Sequence, residues 1–86
     1  MPLISEFSGI KIYMYFQDHN PPHIHARYSN FSALLEISQG NMIAGSFPKE
    51  IKGKIKKWTV LHKEELMNNW QKAQKGEKLQ KIKPLE

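Results

Sequence analysis

Ile10-Lys11-Ile12-Tyr13-Met14-Tyr15-Phe16 alternates strictly, with Ile10, Ile12, Met14 and Phe16 on one side and Lys11, Tyr13 and Tyr15 on the other. Successive side chains of an extended backbone point to opposite sides, so this period marks a strand with one buried and one wet face. The same period returns downstream. His23 to Tyr28 sets Ile24, Ala26 and Tyr28 on one face against His23, His25 and Arg27 on the other. Ser29 and Asn30 offer a two-residue turn into Phe31 to Ile37, where Ala33, Leu35 and Ile37 share a side. Gln39, Gly40 and Asn41 mark another reversal before Met42 to Phe47, and Leu3 to Phe7 is a candidate short extra strand. The first half therefore reads as an antiparallel meander of about four strands.

At Pro48 the period changes. Ile51, Ile55, Trp58, His62, Leu66, Trp70 and Ala73 recur at intervals of three and four, which lays one apolar stripe along a helix. Proline suits a first helical turn. An unbroken helix from Pro48 to about Lys75 would be roughly 40 Å long at about 1.5 Å per residue. That is about twice the length of a strand of about six residues, so a bend or break is expected, with Thr59 and Val60 as its place. Gly76 is a natural C-cap. The expected organisation is a single α+β domain over 1–76 and a charged C-terminal tail over 77–86, anchored only by Leu79, Ile82 and Leu85. Such a tail either adds to a sheet edge or stays mobile until a partner binds. The expected fold is α+β, a small antiparallel sheet of about four strands followed by a long or bent C-terminal helical segment packed on one face. Ile10, Ile12, Met14, Phe16, Ile24, Ala26, Leu35 and Ile37 should then meet Ile51, Ile55, Trp58, Leu66 and Trp70 in the core.

With 86 residues, 40% of them hydrophobic, the chain has room for one small core, which disfavours a deep enclosed substrate cavity. It has no cysteine, which excludes disulfides and thiolate metal sites and leaves histidine, carboxylate and backbone as ligand chemistry. The N-terminus lacks a basic, apolar leader, and no window approaches membrane-spanning length, so a cytoplasmic protein without a membrane partner is expected. Thirteen Lys and Arg against eight Asp and Glu give a formal charge of +5. All but Lys11 and Arg27 of the basic residues lie at Lys49 or beyond. That bias suits an anionic partner, nucleic acid or acidic protein, and equally a solvated lysine-rich helix face.

The stretch Asp18-His19-Asn20-Pro21-Pro22-His23-Ile24-His25 holds three of the four histidines. Strand residues two apart project from one face with Cα atoms about 6.5 to 7 Å apart, so His23 and His25 can converge on one ion or flank one phosphate. Pro21 and Pro22 restrict the entering loop and can bring His19 over the same face. Three readings stay open. In the first, His19, His23 and His25 move protons on an RNA 2′-hydroxyl and leaving oxygen while Arg27 holds the phosphate, a metal-independent endoribonuclease without a cofactor. Tyr13, Tyr15 and Asn20 are then its substrate-binding groups. In the second, Asp18, His19, His23 and His25 hold a divalent metal for hydrolysis. In the third, Asn20 to Pro22 form a tight turn capped by Asp18, and the histidines are structural. His62 falls on the apolar stripe and reads as a packed histidine, with Trp58 and Trp70 as core anchors.

Met14-Tyr15-Phe16-x-Asp18-His19-Asn20-Pro21-Pro22-His23-x-His25-Ala26-x-Tyr28, followed by Trp58-x-x-x-His62-x-x-Glu65-Leu66-x-x-Asn69-Trp70, resembles a family of small bacterial proteins catalogued only as a domain of unknown function. The likeness covers nearly the whole chain. Genes of that family often stand beside a second small uncharacterised one. The resemblance thus implies a toxin-antitoxin-like pair or a two-protein complex, with a small cognate protein encoded nearby as partner. It marks Asp18, His19, Asn20, Pro21, Pro22, His23, His25 and Tyr28 as signature positions, includes His62 and Trp70, and supplies no catalytic roles. Taken with the readings of the residues, the chain is expected to be either a toxin-like component acting on or binding RNA, or a non-enzymatic protein-binding, antitoxin-like partner.

Overall fold

The computed structural model describes residues 2–85. Five antiparallel strands form one sheet in chain order: β1 (Leu3–Phe7), β2 (Ile10–Tyr13), β3 (His23–Tyr28), β4 (Phe31–Glu36) and β5 (Met42–Gly45). Two helices follow, α1 (Lys49–Leu61) and α2 (Lys63–Gln74), completing the α+β architecture. The candidate strand at Leu3 is the fifth. Its hairpin to β2 turns through Ser8 and Gly9, both at positive φ, the twist that two-residue hairpins favour. Tyr28 pairs with Phe31, so Ser29 and Asn30 form the expected two-residue turn.

The alternation predicts the buried face correctly along most of its length. Ile10, Ile12, Met14, Ile24, Ala26, Leu35 and Ile37 are buried with Ile51, Ile55, Trp58, Leu66 and Trp70. Phe16 is the exception, 45% exposed rather than in the core. β2 ends at Tyr13, and the backbone turns at Gln17, whose φ is +54° and whose N–H donates to the Ala73 carbonyl of α2 at 3.1 Å. That long-range bond redirects the chain before the alternation can carry Phe16 inward. β5 likewise stops at Gly45 instead of running to Phe47, since Gly45 takes a φ of +87°.

The helical segment breaks at His62, whose φ and ψ of −108° and 26° leave the helical region, and not at Thr59 or Val60. Thr59 stays helical, and its hydroxyl donates to the Ile55 carbonyl at 2.8 Å, which satisfies the side-chain oxygen it buries. The His62 imidazole packs on Trp58, with ring centroids 5.4 Å apart, and its Nδ1 meets Glu65 Oε1 at 2.6 Å. Residues beyond Gly76 lie against the domain. Ile82 is buried and its N–H donates to the Ile4 carbonyl at the outer edge of β1, at 2.8 Å. Trp58 Nε1 donates to the Lys83 carbonyl at 2.8 Å, and the Asn69 amide brackets the Gln80 backbone at 2.8 and 3.0 Å.

Candidate functional site

The connection from β2 to β3 closes over the end of the sheet, where the C-terminal end of α2 meets it. Gln17 is tied to Ala73, and the Gln74 side-chain amide donates to the Asp18 carbonyl at 2.8 Å. The Asn20-Pro21 peptide is cis. Within this frame Asp18 points its carboxylate at β3. Its Oδ2 lies 2.9 Å from His23 Nε2 and 3.1 Å from His25 Nε2, and its Oδ1 accepts the His19 N–H at 2.9 Å.

His23 departs from expectation. Alternation places it outward with His25 and Arg27, yet it is only 5% exposed, packed against Trp70 with ring centroids 5.3 Å apart. The strand direction is as expected; what covers the strand's first residue is the folded-back loop and α2. Its Nδ1 stands 2.7 Å from the Pro21 carbonyl oxygen. A carbonyl can only accept, so Nδ1 carries a proton, and Nε2 is left to face the carboxylate. His25 is partly open, its side chain 23% exposed, with the Tyr15 ring 4.0 Å away by centroid. His19 stands apart, its side chain 92% exposed; it touches Asp18 Oδ1 at 3.2 Å without joining the convergent trio. Asn20 is exposed on the loop, and Tyr13 is half-buried directly across from His25.

Burial would raise the Asp18 carboxyl, but the His25 hydrogen bond, the His19 backbone N–H and the nearby His23 ring outweigh it and hold the group below the usual carboxylate range. Burial depresses His25, and the His23 and Arg27 charges add to this against the opposing pull of Asp18. The sign of both shifts makes acid destabilising. A depressed His25 contributes no difference above its unfolded value of about 6.5 and a loss as pH falls below it. Asp18 contributes stability above its unfolded value of about 3.9 that disappears as pH falls through the lower folded one. In chelator-treated protein the urea midpoint should be level above about pH 7 and decline in two stages on acidification. His25→Gln should lack the first stage and Asp18→Asn should show a reduced second. A midpoint that stays flat between neutrality and pH 5 would count against this assignment.

Arg27 is exposed on the same face, two residues along β3 from His25. It lines a groove of about 210 Å³ with Tyr15, His25, Ser32, Leu34 and Gly45. Lys11 lies directly opposite Arg27 on β2, and like charges across a strand pair repel. Glu6 faces Lys11 from β1, while the other cross-strand neighbour of Arg27 is Ser32. None of the ion pairs among the described residues includes Arg27. The groove therefore presents an uncompensated guanidinium beside an imidazole, an arrangement suited to an anion.

The supporting residues were the part hidden from sequence reasoning. Trp70 reads as a core anchor, Gln74 carries no signal of its own, and no local pattern joins either to a loop 50 or so residues away. The Pro21 carbonyl has no sequence signal at all. Among the described residues no helix is long and apolar enough to cross a membrane. Residues 9–71, which hold the cluster, the groove and both tryptophans, match a family described as a domain of unknown function, DUF4160. No curated protein and no solved structure matches the chain.

Proposed function

The chain belongs to the DUF4160 family of domains of unknown function, and from that premise we propose that it is the toxin-like component of a two-protein bacterial module that acts on RNA in the cytoplasm. The observation that carries this reading is Arg27, an unpaired cation opposite Lys11, on the groove that His25 and Tyr15 also line. A phosphodiester seated there compensates the Arg27 charge and lies beside the Asp18–His23–His25 cluster, the one group of three such side chains that converges among the described residues. Tyr15, in tilted contact with His25, offers an aromatic surface to an unpaired base. The basic residues of α1 and the C-terminal segment add a long-range attraction for the same polyanion.

The alternative, a non-enzymatic partner that binds through its tail and sheet edge, has less support at the tail, because Ile82, Lys83 and Gln80 are engaged with the protein's own core and helices. Single substitutions test the proposal. Arg27→Ala should weaken binding to a short unstructured RNA about tenfold or more, since a charge-assisted phosphate contact is worth about 1.5 to 3 kcal/mol, and should relieve growth inhibition with the fold intact. His25→Ala should relieve inhibition equally. A pairwise replacement including His23 is a poor test, because burial makes that side chain structural as well. Unchanged RNA affinity and unchanged growth inhibition in folded Arg27→Ala would sink the reading.

A further inference from the structure

The geometry points to a divalent first-row transition metal ion, of the zinc class, held by Asp18 Oδ2, His23 Nε2 and His25 Nε2. Three donors each about 2.1 Å from one ion stand about 3.0 to 3.4 Å from one another, depending on the angle. The carboxylate oxygen lies 2.9 and 3.1 Å from the two ring nitrogens, and the three atoms fall within 4.8 Å of one another. Two of the three separations thus already match a coordination sphere, and the two ring nitrogens need only close to within about 3.4 Å of each other to complete it. Two imidazoles with one carboxylate are borderline donors, suited to zinc or iron(II) and poor for calcium or magnesium, which take oxygen.

The surroundings of the three donors carry the inference further than their spacing. A metal-bound histidine almost always donates its other ring N–H to a carbonyl or carboxylate, which fixes the tautomer and aims the free nitrogen at the ion. His23 does this with Pro21 at 2.7 Å, from a buried position against Trp70. The second oxygen of Asp18 is engaged by the His19 N–H and its carbonyl by Gln74, which leaves Oδ2 aimed at the two rings. A plain structural turn needs neither the second imidazole nor a single oxygen shared by both rings. Three electron-rich atoms in mutual contact have to be held together by shared protons or by a cation. With histidine side chains 6% and 23% exposed, the open side of such an ion is the His25 side, toward the groove and Arg27. The inference does not depend on RNA being the ligand of that groove.

The test uses the full chain without an affinity tag, freed of metal by chelator, then titrated with Zn²⁺ by calorimetry and with Co²⁺ by visible absorbance. The expected result is one equivalent bound saturably, a raised thermal midpoint, and Co²⁺ bands of a defined ligand field. Asp18→Asn and His25→Ala should each lower affinity about 100-fold or more. His19→Ala and His62→Ala should leave it unchanged. Since His23→Ala also empties a buried position, Gln74→Ala serves as the milder probe and should weaken binding with the same one-to-one stoichiometry. No saturable binding to the folded wild type overturns the inference, as does binding that survives the Asp18→Asn/His25→Ala pair and falls with His19 or His62. Arg27→Ala should retain the metal whether or not it loses RNA, so failure of the functional reading and failure of the metal site give different results.

Discussion

A chain truncated after Gly76 is expected to be largely unfolded at room temperature. The removed residues include Ile82, 5% exposed, whose burial contributes about 2 to 3 kcal/mol, and the half-buried Leu79. Their loss also exchanges three hydrogen bonds of the helices for bonds to water. Trp58 Nε1 loses the Lys83 carbonyl, and both ends of the Asn69 amide lose the Gln80 backbone. Such an exchange costs about 0.5 to 1.5 kcal/mol for each bond. The total is on the order of 5 to 8 kcal/mol, comparable with the whole stability of a domain this size, about 5 to 15 kcal/mol and nearer the lower figure. Far-UV circular dichroism and urea denaturation read the effect directly. Replacing Lys78, Lys81 and Lys83 by glutamine in the full chain should leave the midpoint within a small margin, since those ammonium groups are exposed. A truncated chain as stable as the full one would show that the packing of this segment contributes nothing.

Two glycines should respond to the same substitution with opposite signs. At Gly45, φ is +87° and an added Cβ would stand 2.2 Å from the Ser32 carbonyl oxygen and 2.6 Å from Ala33 Cα. Both are backbone atoms of β4, which cannot move aside without breaking the strand pair. A left-handed conformation costs a residue with Cβ about 1 to 2 kcal/mol, and overpacking adds about 1 to 3. Gly45→Ala should therefore lose about 2 to 5 kcal/mol, or shed β5 from the sheet. Because Ala44 and Gly45 line the groove beside Arg27, the variant should also bind RNA more weakly even where it remains folded. Gly53 sits in α1 with nothing within 4 Å of its would-be Cβ, so Gly53→Ala should stabilise by about 0.5 to 1 kcal/mol. Matched urea titrations decide both. Equal effects at the two positions would refute the close approach of β5 to β4.

Much of the fold was legible because its signals are local. The period of two in Ile10 to Met14, Ile24 to Tyr28 and Ala33 to Ile37 identifies the buried faces that the structure contains. The spacing from Ile51 to Ala73 identifies the helical stripe, and the turn residues Ser29, Asn30 and Gly40 mark reversals that occur where expected. The signals failed where a distant partner intervened. Phe16 continues an alternation that Gln17 cuts short by bonding to Ala73. The break at His62 instead of Thr59 involves near neighbours only, the His62 ring meeting Trp58 and Glu65.

The candidate site divides in the same way. The spacing on β3 singles out His23, His25 and Arg27, because a strand's period determines which side chains share a face, and Asp18 is the carboxylate on the loop that enters the strand. Which of them are buried, and which atoms meet, was decided only in three dimensions. Gln74 holds the Asp18 backbone across 56 residues of sequence, Trp70 covers His23, and the Pro21 carbonyl takes its Nδ1 proton. Periodicity specifies the direction of a side chain relative to its own strand. It carries no information about what packs over the end of the sheet, and here that packing turns an outward-facing pair of histidines into a convergent site with one buried and one accessible ring.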